Sequence, residues 1–242
     1  MPAVQVPYTI YPLGDTALTL DYGNVIDPAI NKQVLCLFQK LKTLGLPFIL
    51  DVIPAYASLT VYYDVVEVRQ HLEDNATAYK AMQVLVENTL ASVMANEEAL
   101  PRSIKVPVCY SSKFAPDLSG LAGAKGLTAE QVIELHTSKT YRVYMIGFMP
   151  GFPYMGEVNE EIAMPRKLQP RLQVEAGAVG IAGRQTGIYP QASPGGWQII
   201  GRTPIALFDP HRQVPTLLKP GDEVQFYSIT EDEFEHYKSR VA

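Results

Sequence analysis

The 27 residues from Gly177 to Thr203, GAVGIAGRQTGIYPQASPGGWQIIGRT, hold seven of the chain's 17 glycines and its only tryptophan, Trp197. Between Ala176 and Gly201 the one charged side chain is Arg184. A solvated loop of this length carries more charge, and a plain core strand carries less glycine. Glycine admits positive φ and lets a second backbone or a ligand approach closely. The stretch is therefore expected to form short strands and tight turns built around a site.

The rest of the chain supplies a frame for that site. Tyr8–Leu13 and Thr16–Tyr22 read as a hairpin about Gly14-Asp15. Asp27-Pro28 is placed to cap and open a helix. Ile30, Val34, Leu37, Phe38, Leu41 and Leu44 recur along it, and Gly45 ends it. Phe48–Ile53 and Ser58–Tyr63 read as two further strands, and a second helical pattern runs from Thr77 to Asn96. The polar run Asn96-Glu97-Glu98-Ala99-Leu100-Pro101 marks a boundary, so residues 1–99 are expected to form a small α/β domain. Within residues 100–242, Val106–Tyr110 and Tyr141–Phe148 read as strands. Thr128 with Gln131 is a capping-box pair that starts a short helix ending near His136. From there to Ile229 short strand candidates alternate with Gly/Pro turns, which predicts a β-barrel or sandwich and an α+β chain as a whole.

Several reaction types are excluded by the motifs they require. The chain has no Gly-Lys-Ser/Thr phosphate loop, no H-E-x-x-H, no C-x-x-C and no G-x-S-x-G. Gly177, Gly180 and Gly183 are not spaced as a dinucleotide fingerprint. The four histidines are far apart with no ligand spacing, so no metal site is expected from this chain alone. A net charge of -5 argues against nucleic-acid or anionic-membrane binding. Two lone cysteines, Cys36 and Cys109, and a start without a charged, apolar leader point to a cytoplasmic protein.

Charge distribution says more than net charge. From Ile162 to Thr203 the only acid is Glu175, against Arg166, Lys167, Arg171, Arg184 and Arg202. A basic, glycine-rich segment in an acidic chain suits a carboxylate or phosphate, whose oxygens match the guanidinium fork. Any one of these arginines can equally be paired with an acid elsewhere, but the set points to an anion site. Arg166, Arg171 and Arg184 are its candidates, with the amphipathic Gln185, Tyr189 and Trp197 and the neighbouring Gly195-Gly196 pair. His136, near a helix C-terminus, is the candidate for proton transfer; the alternative is a buried histidine bonded within the core. Asp117 reads as a turn or cap residue. Tyr144 and Phe148 share strand parity with a core position, whereas Met149-Pro150-Gly151-Phe152-Pro153 predicts a rigid loop with an aromatic at its tip.

Those residues also carry a resemblance. GFMPGFPYMG, Pro165-Arg166, Pro170-Arg171, AGAVGIAGRQTGIYPQASPGGWQIIGRTP and LFDP resemble the family of the B subunit of bacterial ATP-dependent 5-oxoprolinase. The same group includes the KipI-like inhibitor of a sporulation histidine kinase and the so-called allophanate hydrolase subunit 1. The likeness extends to LGDTALTLDYG, Cys109-Tyr110 with Pro116-Asp117-Leu118, and Val132-Ile133-Glu134-Leu135-His136. One departure falls in the central motif, where Ala178 and Glu175 stand at positions the family usually fills with serine and proline.

The resemblance implies a cyclophilin-like β-barrel for the second domain and direct association with the C subunit. It further implies conversion of 5-oxoproline to glutamate at the expense of ATP, in cooperation with the A subunit. The implied chemistry is phosphorylation of the lactam followed by ring opening, with this chain inactive alone. His136 and Arg171 are then the catalytic candidates. Arg166, Arg184, Gln185, Tyr189, Gly195, Gly196 and Trp197 are candidates for substrate or nucleotide binding. ATP would bring Mg2+, whose ligands are expected from the partner subunit. The same likeness leaves two alternatives: an inhibitor that binds a histidine kinase, and a carboxyltransferase-like subunit of urea or allophanate metabolism.

Overall fold

The computed structural model describes residues 6–71, 77–93 and 101–241, apart from the side chains of residues 238–241. Two compact units result, Met1–Leu100 and Pro101–Ala242. The start of the chain, the polar boundary run from Asn96 to Leu100 and the predicted helix end at Asn96 lie outside the described residues.

In the first unit, strands β1 (Thr9–Pro12), β2 (Ala17–Asp21), β3 (Ile49–Pro54) and β4 (Ser58–Tyr63) form one antiparallel sheet in the order β1-β2-β4-β3. Helix α1 (Pro28–Leu44) begins where its cap predicts: the Asp27 carboxylate accepts the N–H groups of Ala29 and Ile30 at 2.8 and 2.9 Å. It ends at Gly45 in the left-handed conformation. Leu18, Leu20, Leu59 and Val61 bury against Val34 and Leu37 of α1 and Met82 and Val86 of α3 (Ala78–Val93). Period-2 residues of the sheet thus meet period-3.6 residues of two helices. A further helix, α2 (Val65–His71), is absent from the sequence reading because its β-branched start, Val65-Val66, mimics a strand. Asp64 caps it through the amides of Val66 and Glu67.

The second unit is built on a closed seven-stranded barrel. Its strands are β5 (Ser103–Cys109), β6 (Thr140–Ile146), β7 (Pro153–Gly156), β9 (Ala178–Ala182), β10 (Gln185–Ile188), β12 (Gln198–Arg202) and β13 (Glu223–Ile229). Around the barrel they run β10-β7-β6-β13-β5-β12-β9, and β9–β10 pairing closes it. Pro107 sits within β5 without breaking the closure, because β12 pairs with β5 only at Arg202–Cys109. Val106, Val108, Val143, Met155, Ile181, Ile200 and Phe226 fill the interior. Helices α4 (Leu118–Lys125) and α5 (Ala129–Thr137) pack on β12 and β13. The predicted capping box is present at Thr128–Gln131. A C-terminal helix, α6 (Glu231–Val241), follows β13.

Outside the barrel, β8 (Arg171–Val174) and β11 (Ser193–Gly195) form a two-stranded ribbon. Its register sets Gly195 opposite Arg171, which brings two residues of the basic, glycine-rich segment together. Gly177, with φ of 82°, turns the chain from β8 into β9 where a Cβ would strike the Thr203 carbonyl.

Candidate functional site

The basic segment converges on one acid. Asp117 stands at the start of α4, yet its carboxylate makes no capping bond to that helix. Instead Oδ1 accepts from Lys167 Nζ at 2.8 Å and from Arg171 Nη2 at 2.6 Å, while Oδ2 accepts the Ile199 N–H at 2.7 Å. The Asp117 N–H returns a bond to the Ile199 carbonyl at 3.0 Å, so α4 is clipped to β12 at this point. Burial by itself raises the Asp117 carboxyl pKa. The hydrogen bonds from Arg171, Lys167 and the Ile199 amide, together with the Arg171 charge, outweigh it and hold the group below its usual range.

Two cavities meet at this hub. One is an open cleft of about 720 Å³, lined by Asp117, Gly120, Met164, Arg166, Lys167 and Gln198 among others. The other, of about 170 Å³, lies beside Arg171. Pro116 belongs to both walls. Arg166 is steadied on the cleft wall by an aromatic floor, its guanidinium carbon 5.8 Å from the centre of the Trp197 ring. Gln198 donates to the Pro165 carbonyl at 2.9 Å and the Lys167 N–H donates to the Gly196 carbonyl at 2.7 Å, which fixes the segment carrying both bases.

Trp197 and Tyr189 are buried, in a cluster with Phe152, Val174, Ala178 and Ile199. Gly195 is required by that packing, since a Cβ there would collide with the Tyr189 hydroxyl. Arg171, Arg166, Trp197, Tyr189, Gly195 and Gly196 therefore gather on one side of the barrel, as walls or as the support beneath them.

Two other predicted residues lie elsewhere. Arg184 pairs with Glu157 at 2.8 Å and Glu160 at 3.5 Å at the exposed β9–β10 turn, and neither it nor Gln185 lines either cavity. For Arg184 the pairing alternative holds.

His136 corrects the proton-transfer assignment. It is wholly buried, stacked on Phe226 with ring centres 4.6 Å apart. Nδ1 lies 2.8 Å from the Tyr110 hydroxyl and Nε2 lies 3.0 Å from Thr186 Oγ1. Thr186 donates its one proton to the Gly180 carbonyl at 3.1 Å, so it accepts from Nε2–H, and Nδ1 accepts from Tyr110. Both ring nitrogens are satisfied by a neutral imidazole, and burial lowers its pKa to about 3. This histidine is a core hydrogen-bonding element and lines neither cavity.

The aromatic loop also differs from expectation. Phe152 is buried, and the exposed aromatic is Phe148, at 63% exposure and with φ of 66°. A positive φ at a bulky aromatic is a strained conformation, held here by edge contacts to Phe152 and Tyr189.

Sequence reasoning passed over Asp117 as a turn residue and counted Lys167 only as charge. The available signal was Asp117 itself, an acid in an N-cap position beside Pro116, read locally when its partners lie 50 and 54 residues away. Among the described residues no group of three or more His, Cys, Asp or Glu could hold a metal ion. Asp117 is the one acid on the cleft wall, and three donors already occupy it. The donor set of this cleft therefore does not fit Mg2+. No helix among the described residues is long and apolar enough to cross a membrane.

Comparison with known proteins places this geometry among relatives. Residues 8–218 match the family model for the carboxyltransferase domain, subdomain C and D. The B subunit of 5-oxoprolinase from Bacillus subtilis (strain 168) is 43% identical over 97% of this chain and 98% of its own length. That of Escherichia coli O157:H7 is 41% identical over 89% of this chain and 94% of its own. The crystal structure of TTHA0988 superposes with a TM-score of 0.76 at 37% identity, covering 88% of this chain. The chain spans 39% of that protein's length.

Proposed function

Because the chain belongs to the carboxyltransferase subdomain C and D family, and within it to the B-subunit proteins of 5-oxoprolinase, we propose that it is the B subunit of an ATP-dependent 5-oxoprolinase. The observation that carries this reading is 43% identity sustained over 97% of the chain and 98% of the relative. The chain then works with the C and A subunits in a hydrolase complex and is inactive alone. We place that complex in the cytoplasm, a reading supported by Cys36 and Cys109, which form no disulfide among the described residues.

The geometry supports a role in activating the lactam. Phosphoryl transfer from ATP to the carbonyl oxygen of 5-oxoproline asks for positioning and for stabilisation of charge on the transferring oxygens. Arg166 and Lys167 face a cleft whose 720 Å³ falls in the range of a nucleotide-sized ligand, roughly 300–1,000 Å³. Asp117 holds Lys167 and Arg171 at fixed separation, so their charges need little reorganisation when anionic oxygen arrives. Lys167 uses one of its three N–H donors on Asp117, which leaves two for ligand oxygens. Any Mg2+ that accompanied ATP would take its protein ligands from another subunit, and the residues of this cleft would act on the phosphate oxygens alone.

The test is reconstitution. The chain is purified together with C and A subunits of a 5-oxoprolinase, and glutamate is measured from 5-oxoproline with and without ATP. ATP-dependent glutamate supports the reading, and a properly assembled complex without turnover refutes it. A second reading follows from the matching family, the carboxyltransferase domain: a carboxyltransferase-like subunit. Turnover that requires bicarbonate and a biotinylated partner would favour it.

A further inference from the structure

The smaller cavity has a chemistry of its own. Its 170 Å³ is well below the roughly 300–1,000 Å³ of pockets for drug-sized ligands, so it suits a small molecule. Lys113, Arg171 and Arg202 line it on the charged side, and Glu175 is the one acid among the lining residues. Phe114, Val174, Ala178 and Ile199 line it on the apolar side.

The cations are incompletely matched. Arg171 gives Nη2 to Asp117, but its Nη1 is buried and has no acceptor. A buried N–H without an acceptor costs stability, so this guanidinium is not fully matched by Asp117. Arg202 gives Nε to the Ala176 carbonyl at 2.8 Å, and its Nη2 is 3.9 Å from Glu175. Lys113 is 3.7 Å from Glu235. These two ion pairs are long, and Lys113, Glu235 and Glu175 are more than half exposed, so solvent screens them and the cations remain available to a ligand. Arg202 and Lys113 also both lie over the Phe114 ring, at 5.9 and 5.0 Å, which orients them along one wall.

We propose that this cavity is a subsite for a small cyclic monocarboxylate, its carboxylate held by Arg171, Arg202 and Lys113 and its ring lying on Phe114, Ala178 and Ile199. The assignment rests on the 5-oxoprolinase reading and adds to it the place of the acid. It seats the carboxylate end at Arg171, whose ion pair with Asp117 reaches the wall of the large cleft, so the two binding regions adjoin at this pair. Ala178 and Glu175, where the sequence departs from the motif it resembles, both stand on this wall, so the departure bears on which acid fits.

The test is calorimetric titration of the full chain with 5-oxo-L-proline and with 2-pyrrolidinone, the same lactam without its carboxylate. Saturable binding of the acid alone is expected. Binding should weaken about tenfold in Arg202→Gln, as loss of one charge-assisted contact predicts, and by a smaller factor in Lys113→Gln. Because Arg202 also bonds the Ala176 carbonyl, Lys113→Gln at its exposed position keeps the test open if Arg202→Gln does not fold. Equal binding of both lactams, unchanged affinity in the folded variants, or no saturable binding overturns the subsite. The functional reading is tested separately. ATP-dependent turnover in the reconstituted complex with unaltered variant affinity sinks the subsite alone, whereas carboxylate binding without turnover sinks only the oxoprolinase assignment.

Discussion

Arg171 and Asp117 lie 54 residues apart in sequence and meet at 2.6 Å, joining the β8–β11 ribbon to the start of α4. Asp117 lines the larger cavity and Arg171 the smaller, and the pair explains why an acid that could cap a helix is drawn away from it. Breaking it should therefore disturb both stability and ligand binding.

Asp117→Asn is expected to destabilise the second unit by about 2 kcal/mol. Asp117 is buried, but Lys167 and Arg171 are 32% and 27% exposed, so water softens the loss and keeps it below the cost of a fully buried pair. Urea unfolding of the full chain measures it. A midpoint equal to wild type would show that the hub contributes no stability.

Acid should act at two depths. His136 is neutral in the fold with a pKa near 3, against 6.5 when exposed, so the unfolded chain binds the extra proton between those values. Stability is then full above about pH 6.5 and declines as pH falls, by up to about 1.4 kcal/mol per pH unit. Asp117, whose pKa is lowered from 3.8, adds a second loss below that value, because its paired carboxylate must take up a proton. Unfolding midpoints from pH 7 to pH 4 should fall in wild type and fall less steeply in His136→Gln. A parallel decline in both would remove His136 from the account.

Gly195→Ala pushes a methyl group into the Tyr189 hydroxyl. Overpacking of this kind costs about 1–3 kcal/mol. Since Tyr189 and Trp197 share one cluster, the emission of the single tryptophan should shift as well. Unaltered stability and emission would contradict the packing described.

Trp197 also reports on the cleft. With Arg166 lying over its ring, a phosphate-bearing ligand that draws the guanidinium away should change the emission. Titration of the chain with ATP is expected to give a saturable change that Arg166→Ala abolishes. The same change in the variant would place the nucleotide elsewhere.

Local signals were the legible part of the fold. Asp27-Pro28 and Gly45 bound α1, Thr128 with Gln131 opens α5, and the run of short strands and Gly/Pro turns after Tyr141 closes into a barrel. Each depends on neighbours within a few residues. Helix α4 was hidden because Gly120 and Gly123 lower the helix propensity of LSGLAGAK, and its burial on β12 compensates. The site was half legible: clustered arginines and glycines marked the side of the barrel, but selecting among them needed contacts across 50 residues or more. Arg184 and Arg171 look alike in sequence. One meets Glu157 at an exposed turn and the other meets buried Asp117, a difference made by strand order. His136 stands four residues after Val132 on α5, and it is the barrel interior, through Tyr110 and Thr186, that fixes its role.

The central claim is that the Asp117-centred face of this chain serves an ATP-dependent 5-oxoprolinase. The most direct measurement is glutamate formation from 5-oxoproline by the complex reconstituted with the C and A subunits, comparing wild type with Arg171→Ala. The account predicts ATP-dependent turnover in wild type and, in a variant that still folds and assembles, a loss of about a hundredfold, as expected for removal of one charge-stabilising donor. No turnover by the wild-type complex, or equal turnover by the variant, would contradict it.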